Sequence, residues 1–214
     1  MDRIFTAANM GGRPLTGLAP GANPSDAVRF DQVGVPFSSG RFKSGFYSLI
    51  GSTGTGTNNS NGNGSLRLYA FACGQTVALS RMGAEITSAG DAGSTLRLGI
   101  YADDGFGMPG ALVLDAGTIA GDSATVQEVT ISVTLSPGIY WVGGAVQGVT
   151  TTQPTVRVVQ TPLLPVSVAG SSIPSAAAGV VGANIGSVTG ALPPSVAPSA
   201  LNSGSAPRVF FKAA

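Results

Sequence analysis

The chain has 214 residues, of which only 10% are charged, with a formal net charge of +1, 32 Gly, 14 Pro, one Cys and no His. Without His there is no Ser-His-Asp or Cys-His nucleophilic machinery and no imidazole metal ligand, and a single Cys excludes an intrachain disulfide and a thiolate zinc cluster. No basic run marks a nucleic-acid footprint, and neither a stretch of 18 apolar residues nor an N-terminal apolar segment marks membrane insertion or a signal peptide, so folding in a reducing cytoplasm is the expectation.

Residues 1–35 carry Arg3, Arg13, Arg29, Asp2, Asp26, Asp31 and three prolines, with no sustained period. A short helical turn starting at Ser25 is allowed, but the segment cannot bury a core of its own. It is expected to be an extended arm that needs a partner surface. Residues 36–214 are expected to form one β-sandwich domain.

The strand signals begin at Leu66-Arg67-Leu68-Tyr69-Ala70-Phe71 and continue from Val77 to Thr87. Leu96, Leu98 and Ile100 are expected on one face, Arg97 and Tyr101 on the other. A weaker strand covers 112–119. Val129, Ile131, Val133 and Leu135 alternate with polar residues, the period of a half-buried strand. After the Ser136-Pro137-Gly138 turn come Ile139-Tyr140-Trp141-Val142, then strands at 155–160 and 208–211. Strands thus lie mainly within 65–160 and 207–212. About eight short strands with Gly and Pro turns predict an all-β, antiparallel, jelly-roll-like β-sandwich.

Two connections differ from ordinary loops. Residues 51–64 read GSTGTGTNNSNGNG, without an apolar side chain, and are expected at an exposed tip together with 103–108. The candidate contact residues there are Thr55, Thr57, Asn58, Asn59, Asn61, Asn63, Asp103, Asp104 and Phe106. Residues 162–206 are rich in Ala, Ser, Pro and Val with almost no charge, and are expected to pack as ordered coil on the sandwich or between subunits.

No arrangement of residues points to a catalytic kit. Asp103-Asp104-Gly105 and Gly121-Asp122-Ser123 read as turns in which Asp bonds its own backbone. The calcium-loop pattern and the Lys of a phosphate loop are missing, so neither a metal nor a cofactor is expected. Cys73 and Trp141 are expected in the core. A mean hydropathy of +0.31 at so low a charge predicts self-association.

Leu15, Gly17-Leu18-Ala19, Pro24, Asp26-Ala27-Val28 and Phe30 together resemble a short segment of tailed-bacteriophage fibre proteins. The end of the segment departs, with Phe30-Asp31-Gln32-Val33 where the family has an aromatic followed by Val-Asp. Residues 65–160 are similar to the β-sandwich of phage minor tail and fibre proteins, in Tyr69-Ala70-Phe71, Leu79-Ser80-Arg81-Met82, Glu85 to Gly90, Leu96 to Tyr101, Pro109-Gly110 and Leu135 to Trp141. Val188 to Pro193 and Ala206 to Val209 resemble the closing segment of those domains.

The resemblance implies a non-enzymatic structural protein of the virion surface, made in the bacterial host cytoplasm and assembled as a homotrimer. Arg13, Leu15, Leu18, Pro24, Asp26, Val28 and Phe30 would dock the arm to a capsid, portal-proximal or tail protein. The sandwich would be a short fibre or spike head that attaches to the host surface, through polysaccharide. The alternative is a capsid head fibre or decoration protein with a purely structural role.

Overall fold

Side chains that alternate between two environments build two antiparallel sheets here, with no helix among the described residues. The computed structural model describes residues 42–50, 58–59, 61–159, 182–196, 200–202 and 205–214. The expected arm, residues 1–35, with its docking residues and the Ser25 turn, lies outside the described residues, as do Thr55 and Thr57.

In chain order the strands are β1 (Tyr47–Leu49), β2 (Asn58–Asn59), β3 (Leu66–Cys73), β4 (Val77–Ser88), β5 (Thr95–Asp103), β6 (Pro109–Ala120), β7 (Val126–Leu135), β8 (Gly138–Gln147), β9 (Thr155–Val159), β10 (Gly182–Ile185), β11 (Ala200–Asn202), β12 (Ala206–Pro207) and β13 (Val209–Ala213). The eight expected from the sequence are β3 to β9 and β13; the others are short additions at edges.

Four antiparallel pairings are nested inside one another: β5 with β6, β4 with β7, β3 with β8, and β1 with β13. This folded ribbon wraps into a first sheet ordered β1-β13-β4-β7 and a second ordered β3-β8-β5-β6. That is the strand order of a jelly roll, and the expected β-sandwich is the observed fold. The far end of β4 pairs with β9, which in turn pairs with β12 and β2. β10 and β11 extend the second sheet beyond β3.

The main core lies between the sheets. Leu96, Leu98 and Ile100 of β5 meet Leu79, Met82 and Ile86 of β4 there, with Phe211 of β13 and Val142 of β8. The apolar period of β4 slips between Leu79 and Met82, where a bulge sits between Leu79 and Arg81. The bulge returns Met82, Ala84 and Ile86 to the core and sends Arg81 and Glu85 outward.

Tyr69 fastens the sheets together. Fully buried on β3, its hydroxyl donates to the Ile50 carbonyl (2.9 Å) and accepts the Val209 amide (3.1 Å). Burial pushes its phenol pKa far up, so it remains a neutral donor.

A second apolar cluster covers the outer face of the second sheet. The segment 182–196 lays Val188, Leu192 and Val196 on Leu66, Leu68, Tyr101 and Trp141. Trp141 is buried as expected, but under this strap rather than between the sheets. The strap is pinned by Tyr101, whose hydroxyl donates to the Pro193 carbonyl, and by Gln147, whose amide donates to the Val188 and Gly190 carbonyls. Gly99 provides the socket for Leu192, since a β-carbon there would strike the Leu192 methyl. Within the segment expected as coil, 182–185 is strand β10 and 186–196 runs over the second sheet without a strand, while 160–181, 197–199 and 203–204 lie outside the described residues.

Leu192→Ala is expected to cost about 2–4 kcal/mol by emptying that socket. Tyr69→Phe is expected to cost about 1–3 kcal/mol by leaving the Val209 amide and Ile50 carbonyl unpaired at unchanged burial. Urea unfolding of each variant measures both.

Candidate functional site

Phe210 and Phe211 are neighbours on β13, so they face opposite sides of the sheet. Phe211 enters the core; Phe210 lies on the outer face of the first sheet. Its ring rests on β4 where Gly83 has no side chain: a β-carbon at 83 would strike the Phe210 ring and the Gln127 carbonyl. Tyr47 of β1 meets the Phe210 ring edge-on, with centroids 5.7 Å apart and planes at 73°.

A groove of about 310 Å³ opens over this pair, bounded by Tyr47, Leu49, Val126, Glu128 and Phe210. It runs on into a second hollow of about 220 Å³, shared by Leu49, Val126 and Phe210 and closed by Glu85, Arg157 and Arg208. Leu49 and Val126 are 64% and 61% exposed, so this is an apolar face left open to solvent.

Ion pairs frame the groove. Arg81 Nε meets Glu128 Oε1 at 3.2 Å, and the Tyr47 hydroxyl donates to Glu128 Oε2 at 2.7 Å. The Tyr47 phenol pKa is raised, chiefly because that hydrogen bond favours the protonated form. Arg157 grips Glu85 with Nε and Nη2, both at 2.9 Å. This fork holds the Glu85 carboxyl below its ordinary range. The Lys212 ammonium stands 5.2 Å from the Tyr47 ring centroid.

The residues singled out from sequence fall elsewhere. Asn58 and Asn59 pair with Arg157 and Val156 of β9. Asn61 is not exposed but fully buried, and accepts from Arg67. Asn63 is exposed, and its side chain bonds both backbone groups of Val149.

Asp103 accepts the amides of Gly105 and Gly107, Asp104 those of Phe106 and Met108, which makes 103–108 the expected self-bonded turn. Asp103 also accepts the Trp141 indole N–H at 2.9 Å, and Phe106 is 81% exposed.

Of the two loops expected at one tip, the described end of the first, 61–64, lies at the other end of the sandwich from 103–108. Asn63 bridges Val146, beside the start of β5, whereas Asp103 is the end of β5, about 26 Å away at about 3.3 Å per residue. The groove residues were missed, although the Phe210-Phe211 pair carries the signal, since adjacent strand aromatics cannot share one core. No group of three or more metal-ligating side chains occurs among the described residues. Cys73 is buried, with its thiol pKa pushed up by burial.

Comparison of the chain with family models, with curated proteins and with solved structures gives no match.

Gly83→Ala is expected to lift the Phe210 ring off β4 and fill the groove; the exposure of Phe210 to solvent, read by NMR of its ring protons, checks it.

At the Asn63 end, Asp91 fixes the loop between β8 and β9. It accepts the amides of Thr150, Thr151 and Thr152 and the Thr150 hydroxyl, which hold its carboxyl far below the ordinary value of 3.8. The folded state thus binds this proton less readily than the unfolded chain, and the carboxylate stabilises the fold above the ordinary range. That stabilisation is lost as pH falls through 3.8 toward the depressed native value. Asp91→Asn is expected to lower Tm at neutral pH, and the gap to close in acid; thermal melts across pH check it.

Proposed function

We propose that the protein is a structural component of a tailed phage or phage-like particle, a short fibre or spike docked through residues 1–35. Its jelly-roll head serves attachment to a host-surface glycan. The observation that carries this reading is an asymmetry among the described residues: a strap covers the outer face of the second sheet, while none of them covers the aromatic groove on the first. A β-sandwich scaffold that presents a grooved face suits recognition by a fixed surface. The fibre-like segment at 13–33 and the order of matching pieces from 65 to 160 supply the particle context. Several heads on one appendage would raise avidity, so that each groove can bind weakly.

Light scattering of the purified full chain is expected to give a mass near three times 21.1 kDa. The protein is expected to bind host cells and to compete with particle adsorption. Label on the capsid of particles whose adsorption is unchanged when the protein is missing would instead establish the decoration role.

A further inference from the structure

Charge is unevenly distributed over the molecule. Around the groove stand Arg81, Arg157, Arg208 and Lys212 against Glu85 and Glu128. The five Asp among the described residues lie on the second sheet or in the loops at the ends of the sandwich: Asp91, Asp103, Asp104, Asp115 and Asp122. The grooved face is therefore cationic on a chain with a net charge of only +1.

Both carboxylates at the groove are already engaged, Glu85 by the Arg157 fork and, more weakly, by the charge of Arg208, and Glu128 by Arg81 and Tyr47. Arg208 borders the hollow, and its buried Nε has no hydrogen-bond partner among the described residues. Positive charge thus flanks both ends of an apolar floor, with Lys212 by Tyr47 and Arg208 beyond Phe210.

An occupant that satisfies this surface needs a flat C–H face for the rings and a carboxylate for the guanidinium. We infer that the groove binds an acidic sugar residue, a uronic or sialic acid, of the host-surface polysaccharide; this rests on the attachment reading and names its site and ligand class. The sugar ring packs on Phe210 and Tyr47 between Leu49 and Val126, and its carboxylate meets Arg208. An extended acidic peptide fits less well. The groove runs over the face of a sheet, where the backbone groups of β4 and β13 are already paired, and offers no ladder for a peptide backbone.

The test uses the full chain and immobilised polygalacturonate and polysialate, with methyl-esterified polygalacturonate and poly-glutamate as controls. Binding to at least one acidic glycan is expected, weakening as salt rises. The neutral methyl ester keeps the rings and poly-glutamate keeps the charge; each is expected to bind about tenfold or more weakly. Tyr47→Ala and Arg208→Gln are each expected to lose about tenfold or more while circular dichroism and Tm stay near those of the parent. Val113→Ser, on β6 of the second sheet, is expected to bind as the parent does.

No binding to either glycan, or binding untouched by Tyr47→Ala and Arg208→Gln, overturns the inference. Poly-glutamate bound as tightly as the glycans also overturns it and makes an acidic protein the occupant. The same preparation is assayed on host cells. Cell binding without acidic-glycan binding overturns only the site and ligand class. Loss of both overturns the attachment reading as well.

Discussion

One phenol hydroxyl ties the β1–β13 pair, which β4 holds within the first sheet, to the opposite sheet. Tyr69 stands on the second sheet, and its oxygen serves the Ile50 carbonyl and the Val209 amide at once. Those groups flank the β1–β13 pair, which the Ile50 amide also joins to the Val209 carbonyl. Hydrogen bonds made inside a dry core are stiff, because no water competes for either partner. β1 is only three residues long, so its place depends on this anchor and on β13. Tyr47 and Leu49 ride on β1 and Phe210 on β13, so the shape of the groove follows from an oxygen on the opposite sheet.

The two sheets reach stability differently. β3 and β8 are buried on both faces, between the core on one side and the 182–196 strap on the other. β7 has one covered face and one open face. Among the described residues, ion pairs and rings, and no strap, line the outer side of the first sheet. Partly exposed pairs of this kind add little stability individually. They do fix the orientation of the guanidinium groups, which matters more for recognition than for folding.

How far the sequence could be read follows the same division. β7 was plain, because an open face writes strict alternation into Val129, Ile131, Val133 and Leu135. The long strands and the sandwich class were legible from such runs and their turns. The strap was only half legible: its apolar residues announced packing, but nothing local says which face they cover. Trp141 shows the limit: it and Val142 face opposite sides of β8 and both are buried, so alternation alone does not tell which side looks between the sheets. The groove was hidden because Tyr47, Glu85, Val126 and Phe210 come from separate parts of the chain and meet only through strand register. Asn61 misled because a polar loop can be drawn inward by one guanidinium, here that of Arg67.

The nesting of the strands also governs when the molecule can be completed during synthesis. The innermost pair, β5 with β6, joins neighbours in sequence, whereas Tyr47 finds Lys212 across nearly the whole described chain. Long-range pairings are slow to form because the intervening chain must first be gathered. The ribosome therefore delivers a partly wrapped ribbon, with the edge of β4 that later takes β13 still unpaired. Until residue 213 has emerged, that edge and the uncovered core beneath it can pair with another nascent chain. Wrapping in this order leaves that edge open longest, so pairing between neighbouring nascent chains is the hazard this topology carries.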